Sequence, residues 1–187
     1  MRKMKESRKT RYTRMVLQDS LLELMKNKPI SKITIKELCE KADINRTTFY
    51  AHYRDQYDLL RTIEGETLSW AKEVITDLIG KRDKKDEMLK VLEEIFQYFN
   101  GNKKHLQILM SEQGDINFQK QLLTLIYQEM GVSSSYAPYS VLNAKEDYLI
   151  FIVNGSIGLI QNWLKNGMNR SAKDMAETIY TLTCQIK

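Results

Sequence analysis

The chain has 187 residues and a net charge of +5, with two cysteines, two prolines and eight glycines. A chain of this length can bury a hydrophobic core, either as one compact domain or as a small head on a larger body. So few prolines and glycines predict an almost entirely helical fold. The two widely separated cysteines indicate neither a disulfide framework nor a zinc site.

Positive charge is concentrated at the start of the chain. Residues 1–60 hold 14 lysines and arginines against 8 aspartates and glutamates, whereas residues 61–187 hold 15 against 16. The basic segment from Met1 to Arg14 either follows DNA as an arm or frays. A basic surface of this kind faces phosphates where it coincides with a DNA-binding motif.

Two helix starts follow a first helix, which is predicted from about Lys9 to Lys26. Thr34 is placed as an N-cap with Glu37 three residues later, a pattern known as a capping box. Asn45 is placed as the next N-cap, only eleven residues after Thr34. Because the connection is tight, the two helices must cross steeply. The pattern predicts a helix-turn-helix with helices at about 35–42 and 46–53.

The second helix of this pair has two different faces. Phe49 and Tyr53, four residues apart, are expected to turn inward. The other side chains are of the types that meet phosphates and base edges: Arg46, Thr47, Thr48, Tyr50 and His52. In an alternative that the sequence leaves open, Tyr50 and His52 pack against a neighbouring helix.

The sequence Thr-Thr-Phe-Tyr-Ala-His-Tyr at 47–53, followed by Asp-Leu-Leu at 58–60, resembles a known DNA-binding domain. It is similar to the N-terminal domain of the tetracycline-repressor (TetR/AcrR) family of bacterial transcription regulators, over about residues 8–62. The resemblance implies an all-α fold of about nine helices. It also implies a helix-turn-helix DNA-binding domain at 1–55 and a helical dimerisation and effector domain at 56–187.

The resemblance further implies roles for single residues. In that family the tyrosine and histidine at the places of Tyr50 and His52 contact backbone phosphates. The residue after the N-cap and its neighbour approach base edges. A lysine usually stands where this chain has Gln56, and whether Arg54 replaces that phosphate contact is left open. The predicted DNA-binding residues are Lys36, Asn45, Arg46, Thr47, Thr48, Tyr50, His52 and Arg54.

Six more helices are predicted after the helix-turn-helix. Asp55 is placed as the N-cap of a long fourth helix that runs to Gly80, and in the resembling family this helix relays events in the body to the DNA-reading helices. Apolar residues in the later helices either fill a core, which their spacing favours, or line a ligand cavity. The later helices are expected between the charged stretch 80–86 and Asn100, and at about 103–112, 116–130, 140–166 and 171–186, with a loop at 131–139.

The two C-terminal helices are predicted to form a homodimer interface. The small residues of Gly155-Ser156-Ile157-Gly158 permit close helix approach. In the resembling family the last two helices pair with their copies in a second subunit. The residues expected at the interface are Tyr148, Ile152, Gly155, Leu159, Trp163, Met175, Ile179 and Leu182.

The sequence lacks the usual signals of export, of a membrane span and of catalysis. No apolar leader follows the basic start, and polar residues interrupt the longest apolar run, Tyr148 to Leu164, so a cytoplasmic location is expected. There is no nucleophile elbow, phosphate-binding glycine loop or zinc-protease motif. We therefore expect neither an enzyme nor a cofactor or metal.

The favoured function is a homodimeric repressor of transcription that binds double-stranded DNA at a palindromic operator. It would be released by an effector, either a small molecule or a protein, bound in the C-terminal domain. The alternative is a co-regulator or activator that is controlled by a protein partner and lacks a small-molecule pocket.

Overall fold

The structure, a computed structural model, describes residues 7–111, 114–131 and 144–184. Within these ranges it is all-α and has no strand, which confirms the predicted fold class. A short 3-10 turn at Ile30–Lys32 precedes the second helix. The helices are α1 Arg8–Met25, α2 Ile35–Ala42, α3 Arg46–Tyr50, α4 Gln56–Gly80, α5 Lys85–Gly101, α6 Lys103–Leu109, α7 Ile116–Glu129, α8 Ala144–Lys165 and α9 Ala172–Cys184.

The described residues fall into two compact units, one up to Glu66 and one from Thr67 onward. The first unit contains α1, α2, α3 and the beginning of α4. Its core is formed by side chains that are at most 5% exposed: Leu17, Leu21, Leu38, Phe49, Tyr53, Leu59 and Ile63. The inward orientation predicted for Phe49 and Tyr53 is thus confirmed. The functional boundary after residue 55 stays a prediction.

Side-chain caps start α2, α3 and α4, as the sequence predicts. The hydroxyl of Thr34 accepts a hydrogen bond from the backbone N–H of Glu37 at 3.2 Å. The side chain of Asn45 accepts one from the N–H of Thr47 at 2.7 Å. The carboxylate of Asp55 accepts one from the third residue of α4, also at 2.7 Å. Each cap satisfies a backbone donor that the first helical turn leaves without a partner.

The third helix is shorter than predicted, since it ends at Tyr50 and not near residue 53. The N–H groups of His52 and Tyr53 both donate to the carbonyl of Phe49, each at 2.9 Å. This tighter closing turn ends the helix, although Tyr53 still turns inward. Helix α6 likewise ends at Leu109, before the predicted residue 112.

Several predicted features lie outside the described residues. They are the first six residues of the basic arm, residues 132–139 of the predicted loop, the start of the eighth helix before Ala144 and the end of the ninth after Cys184.

The second unit has a core between α5, α6, α8 and α9. Phe96 of α5 and Trp163 of α8 meet edge to face, with ring centroids 5.3 Å apart. Around them pack Met88, Leu92, Leu106, Leu164, Ala172, Met175, Ala176 and Ile179. Side chains of α6 secure the end of α8, because Gln107 donates to the carbonyl of Leu164 at 2.7 Å. None of the helices in the described part of the chain is long and apolar enough to span a membrane.

Candidate nucleic-acid interface

The turn between α2 and α3 sets the angle of the helix pair. Asp43 has a positive φ of 52°, a left-handed conformation that ends α2. Its backbone N–H donates hydrogen bonds to the carbonyls of Cys39 and Glu40. Aspartate tolerates this conformation better than most residues do. The N–H of Ile44 then donates to the carbonyl of Cys39 at 3.0 Å. The connection is therefore fixed by backbone hydrogen bonds immediately before Asn45 caps α3.

Helix α3 presents most of its predicted donors to solvent. Arg46, Thr47 and Tyr50 are exposed, whereas Thr48 and His52 are half-buried. Tyr50 is 58% exposed, so it does not pack into the head as the open alternative suggested. His52 makes a tilted ring contact with Tyr53, with centroids 6.2 Å apart. The buried Phe49 anchors the helix from its inner face.

Helix α2 contributes to the same surface. Lys36 is exposed and lies 3.8 Å from Glu40, a loose pairing that leaves its ammonium accessible. A shallow groove of about 470 Å³ joins α2 to the start of α3, lined by Lys36, Cys39, Glu40, Asp43, Ile44, Asn45 and Arg46. Burial raises the pKa of the Cys39 thiol, against a smaller opposing effect of Arg46. At neutral pH the groove thus presents charged groups above a protonated thiol.

An ion pair holds the beginning of α2 in place. The ammonium of Lys28 lies 2.5 Å from the carboxylate of Glu37. This contact, followed by a hydrogen bond from the backbone of Thr34, lowers the pKa of Glu37 although partial burial opposes the shift. The hydroxyl of Thr34 makes its half of the predicted capping box, and Lys28 holds the Glu37 carboxylate. They orient the helix that carries Lys36.

A second cluster of charge stands where the chain enters α4. Arg54 has an 82% exposed side chain, and its guanidinium lies 3.3 Å from the carboxylate of Asp58. Arg61 approaches the same carboxylate oxygen at 3.3 Å. The sequence prediction included Arg54 and missed its two neighbours. The only available signal was the spacing of four and three residues around Asp58 on one helix.

Three of the residues predicted at the dimer interface lie in the core of the protomer. Trp163, Met175 and Ile179 are at most 7% exposed and belong to the core of a single protomer. We therefore withdraw these three from the interface, because α5 and α6 already cover them. Tyr148, Ile152 and Leu159 are half-buried, while Gly155 and Leu182 are exposed.

The exposed side of α8 includes residues that the prediction left out. Phe151 is 69% exposed and Ile150 is 37% exposed. Phe151, Gly155 and Gly158 recur at the spacing of one helix face. A Cβ atom added at either glycine would meet no atom within 4 Å. This face of α8 therefore carries an exposed phenylalanine and two glycines with open space above them among the described residues.

Known proteins are similar to the chain in sequence. A family model of the TetR class, described as "Transcriptional regulator C-terminal region", matches residues 86–185. YxbF, an uncharacterized HTH-type transcriptional regulator of Bacillus subtilis (strain 168), is 34% identical over 47 residues. That match spans 25% of this chain but only 12% of YxbF.

Two solved structures share the fold over nearly the whole chain. The dihydroxyacetone kinase operon activator DhaS superposes with a TM-score of 0.56 at 15% identity, over 92% of this chain and 94% of its own. The fatty acid degradation regulator FadR from Bacillus halodurans superposes with a TM-score of 0.64 at 10% identity, over 98% and 99% of the two chains. At these identities the similarity concerns the fold alone.

Proposed function

The chain belongs to the TetR family of transcriptional regulators, and from this premise we propose that it is a homodimeric repressor that leaves a palindromic operator when an effector binds. Its family regulates transcription and is not a family of enzymes. What the proposal adds is the way this chain contacts DNA, its dimeric state and the sign of regulation.

The exposed side of α3 is the observation that carries the proposal. Arg46 and Thr47 follow the N-cap and both are exposed, and Arg46 lines the same groove as the exposed Lys36. In the proposed complex Arg46 contacts a guanine edge in the major groove, the geometry that arginine favours. Thr47 and Thr48 contact bases or phosphates, and Tyr50, His52 and Lys36 contact phosphates. Asn45 caps α3 and so fixes the orientation of the helix that carries these side chains.

A dimer is proposed because one five-residue helix makes too few contacts to select a site in a genome. Two copies that read a palindrome roughly double the specific free energy of binding. The face of α8 with Phe151, Gly155 and Gly158 supports this step, since it is exposed and permits close approach of a second helix. Leu182, 48% exposed on α9, extends the apolar surface.

A second candidate is an activator or co-regulator that responds to a protein partner. Close packing in the core between α5, α8 and α9, with Phe96 and Trp163 in direct contact, favours this reading for that part of the body. The name of DhaS describes an operon activator, so this fold is compatible with either sign of regulation.

Selection of bound sequences from random duplex DNA tests the proposal. The purified protein is used at about physiological salt, which suppresses purely electrostatic binding. Enrichment of a palindrome supports a dimeric, sequence-specific regulator. If a folded, dimeric protein enriches no sequence, the assignment of α3 as the reading helix is wrong. The sign of regulation then follows from a reporter gene placed behind the enriched site.

A further inference from the structure

Asp58 lies in the first turn of α4 and contacts two arginines. Its Oδ1 atom lies 3.3 Å from Nη2 of Arg54 and 3.3 Å from Nη2 of Arg61. Its Oδ2 atom accepts a hydrogen bond from the backbone N–H of Arg54 at 3.0 Å. That backbone hydrogen bond lowers the pKa of Asp58 most, and the contact with the Arg54 guanidinium lowers it further. Burial has the opposite, smaller effect on this pKa. Asp58 is therefore a carboxylate at neutral pH.

The partners differ in how much they reach into solvent. The side chain of Asp58 is 25% exposed, whereas that of Arg54 is 82% exposed. A guanidinium carries five N–H donors, so the contact with Asp58 leaves other donors of Arg54 accessible. Exposed ion pairs contribute little to folding stability. What this pair does is fix the direction of a long side chain that would otherwise sample many rotamers.

We propose that Asp58 is a positioning residue for DNA binding, which holds Arg54 where it contacts a backbone phosphate. This inference rests on the proposed function. The uncharged Gln56 cannot form an ion pair with a phosphate, so the entry to α4 depends on Arg54 for a charge-assisted contact. Arg61 shares the same oxygen of Asp58. The cluster of two arginines and one aspartate therefore keeps a net positive charge.

Removing the charge of Asp58 has two opposite effects on DNA binding. It takes a negative group away from the phosphates, and this effect alone tightens binding to every duplex. It also releases Arg54, and the phosphate contact is then lost. The sign of the net change therefore separates a positioning residue from a simple counter-charge.

The test compares wild type with Asp58→Asn, Arg54→Ala and the double variant by fluorescence anisotropy over a range of salt concentrations. The probe is a random-sequence duplex of about 30 base pairs, long enough to contact two helix-turn-helix units spaced one helical turn apart. Asp58→Asn should weaken binding about tenfold for each subunit of the bound dimer, the loss expected for one charge-assisted hydrogen bond. The slope of log K against log salt should fall by about 2, as in Arg54→Ala, because each of the two subunits loses one phosphate contact. In the Arg54→Ala background, Asp58→Asn should cause no further loss.

Asp77→Asn is the matched control. Asp77 also lies on α4, pairs with Lys81 four residues later at 2.8 Å, and undergoes the same change of charge. This variant should keep the affinity and salt slope of wild type. Asp58→Glu, which retains the carboxylate, should restore the salt slope. Thermal unfolding of every variant distinguishes a folding defect from a lost DNA contact. Asp58→Asn should unfold near the wild-type temperature, because asparagine keeps an oxygen acceptor for the backbone N–H of Arg54.

Unchanged or tighter binding by Asp58→Asn overturns the proposal, and so does a loss that adds to that of Arg54→Ala. If wild type binds the random duplex at low salt and Asp58→Asn binds equally well, only the positioning role fails. If wild type binds no duplex at any salt concentration, the proposed function fails and the positioning role fails with it.

Discussion

The ring of Tyr50 meets the ring of Phe49 edge to face, with centroids 5.5 Å apart, while 58% of Tyr50 stays exposed. Since Phe49 is fully buried, a core residue orients an exposed one on the surface proposed to contact DNA. The change Tyr50→Phe keeps the ring contact and deletes only the hydroxyl. We expect weaker binding by about 1.5–3 kcal/mol for each subunit of the dimer, the usual value of one hydrogen bond to a charged group, on operator and random duplex alike.

Anisotropy titrations on both duplexes check this expectation, and the unfolding temperature should stay at its wild-type value. A loss seen on the operator alone would instead assign Tyr50 to a base edge. The matched variant is Tyr57→Phe, at another exposed tyrosine of the head, which should leave both affinities unchanged.

The capping carboxylate of Glu37 makes the stability of the head depend on pH. Its pKa is lowered in the folded state, chiefly by Lys28, so the folded state binds its proton less readily than the unfolded chain does. The resulting stabilisation is complete above the ordinary glutamate pKa of about 4.3 and is lost as pH falls through the lowered folded value. We expect Glu37→Gln to unfold at a lower temperature than wild type at pH 7, with a difference that shrinks in acid.

Thermal unfolding at a series of pH values measures this difference. Lys28→Met removes the main cause of the shift, so it should reproduce most of the loss, and the double variant with Glu37→Gln should add little to it. A stability gap between wild type and Glu37→Gln that stays constant from neutral to acid pH would refute the pKa account.

The exposed face of α8 is expected to hold the dimer together. Gly155→Leu adds a side chain where the described residues leave open space, so the folded monomer should tolerate it while close approach of a partner helix is blocked. Phe151→Ala removes exposed apolar area that a partner would cover. Both variants should dissociate at higher protein concentrations than wild type, as measured by sedimentation equilibrium.

Ile116→Ala is the control for this measurement, because Ile116 is a 58% exposed apolar residue on α7 and lies outside the proposed interface. It should associate like wild type. If Gly155→Leu and Phe151→Ala remain dimers of wild-type strength with unchanged helix content, the two copies meet through another surface.

The local features of the head were predictable because their signals are close together in the sequence. Thr34, Asn45 and Asp55 each cap the helix that begins at the next residue, and a cap acts over two or three residues. The inward orientation of Phe49 and Tyr53 likewise follows from a four-residue spacing. The early end of α3 was not predictable from such signals, since the double hydrogen bond to the Phe49 carbonyl carries no distinctive residue type.

The assignment of faces in the body required tertiary information. Helix α8 is apolar on most sides, so its sequence does not specify which side α5 and α6 cover. Trp163 is expected at the dimer interface because it lies on one of the two C-terminal helices, but it packs on Phe96 within the protomer. Phe151 is absent from the predicted interface, although its side chain is much more exposed than that of Trp163. Periodicity identifies amphipathic helices well but separates two apolar faces of one helix poorly.

The measurement that tests the account most directly is the specificity ratio of Arg46→Ala. Affinities of wild type and variant are measured at one salt concentration for the selected operator, for operators changed at single base pairs and for random duplex. We predict a loss of about 1–3 kcal/mol on the operator, no preference at one base pair of each half-site, and nearly unchanged affinity for random DNA. Equal losses on operator and random duplex would contradict the role of Arg46 in reading bases.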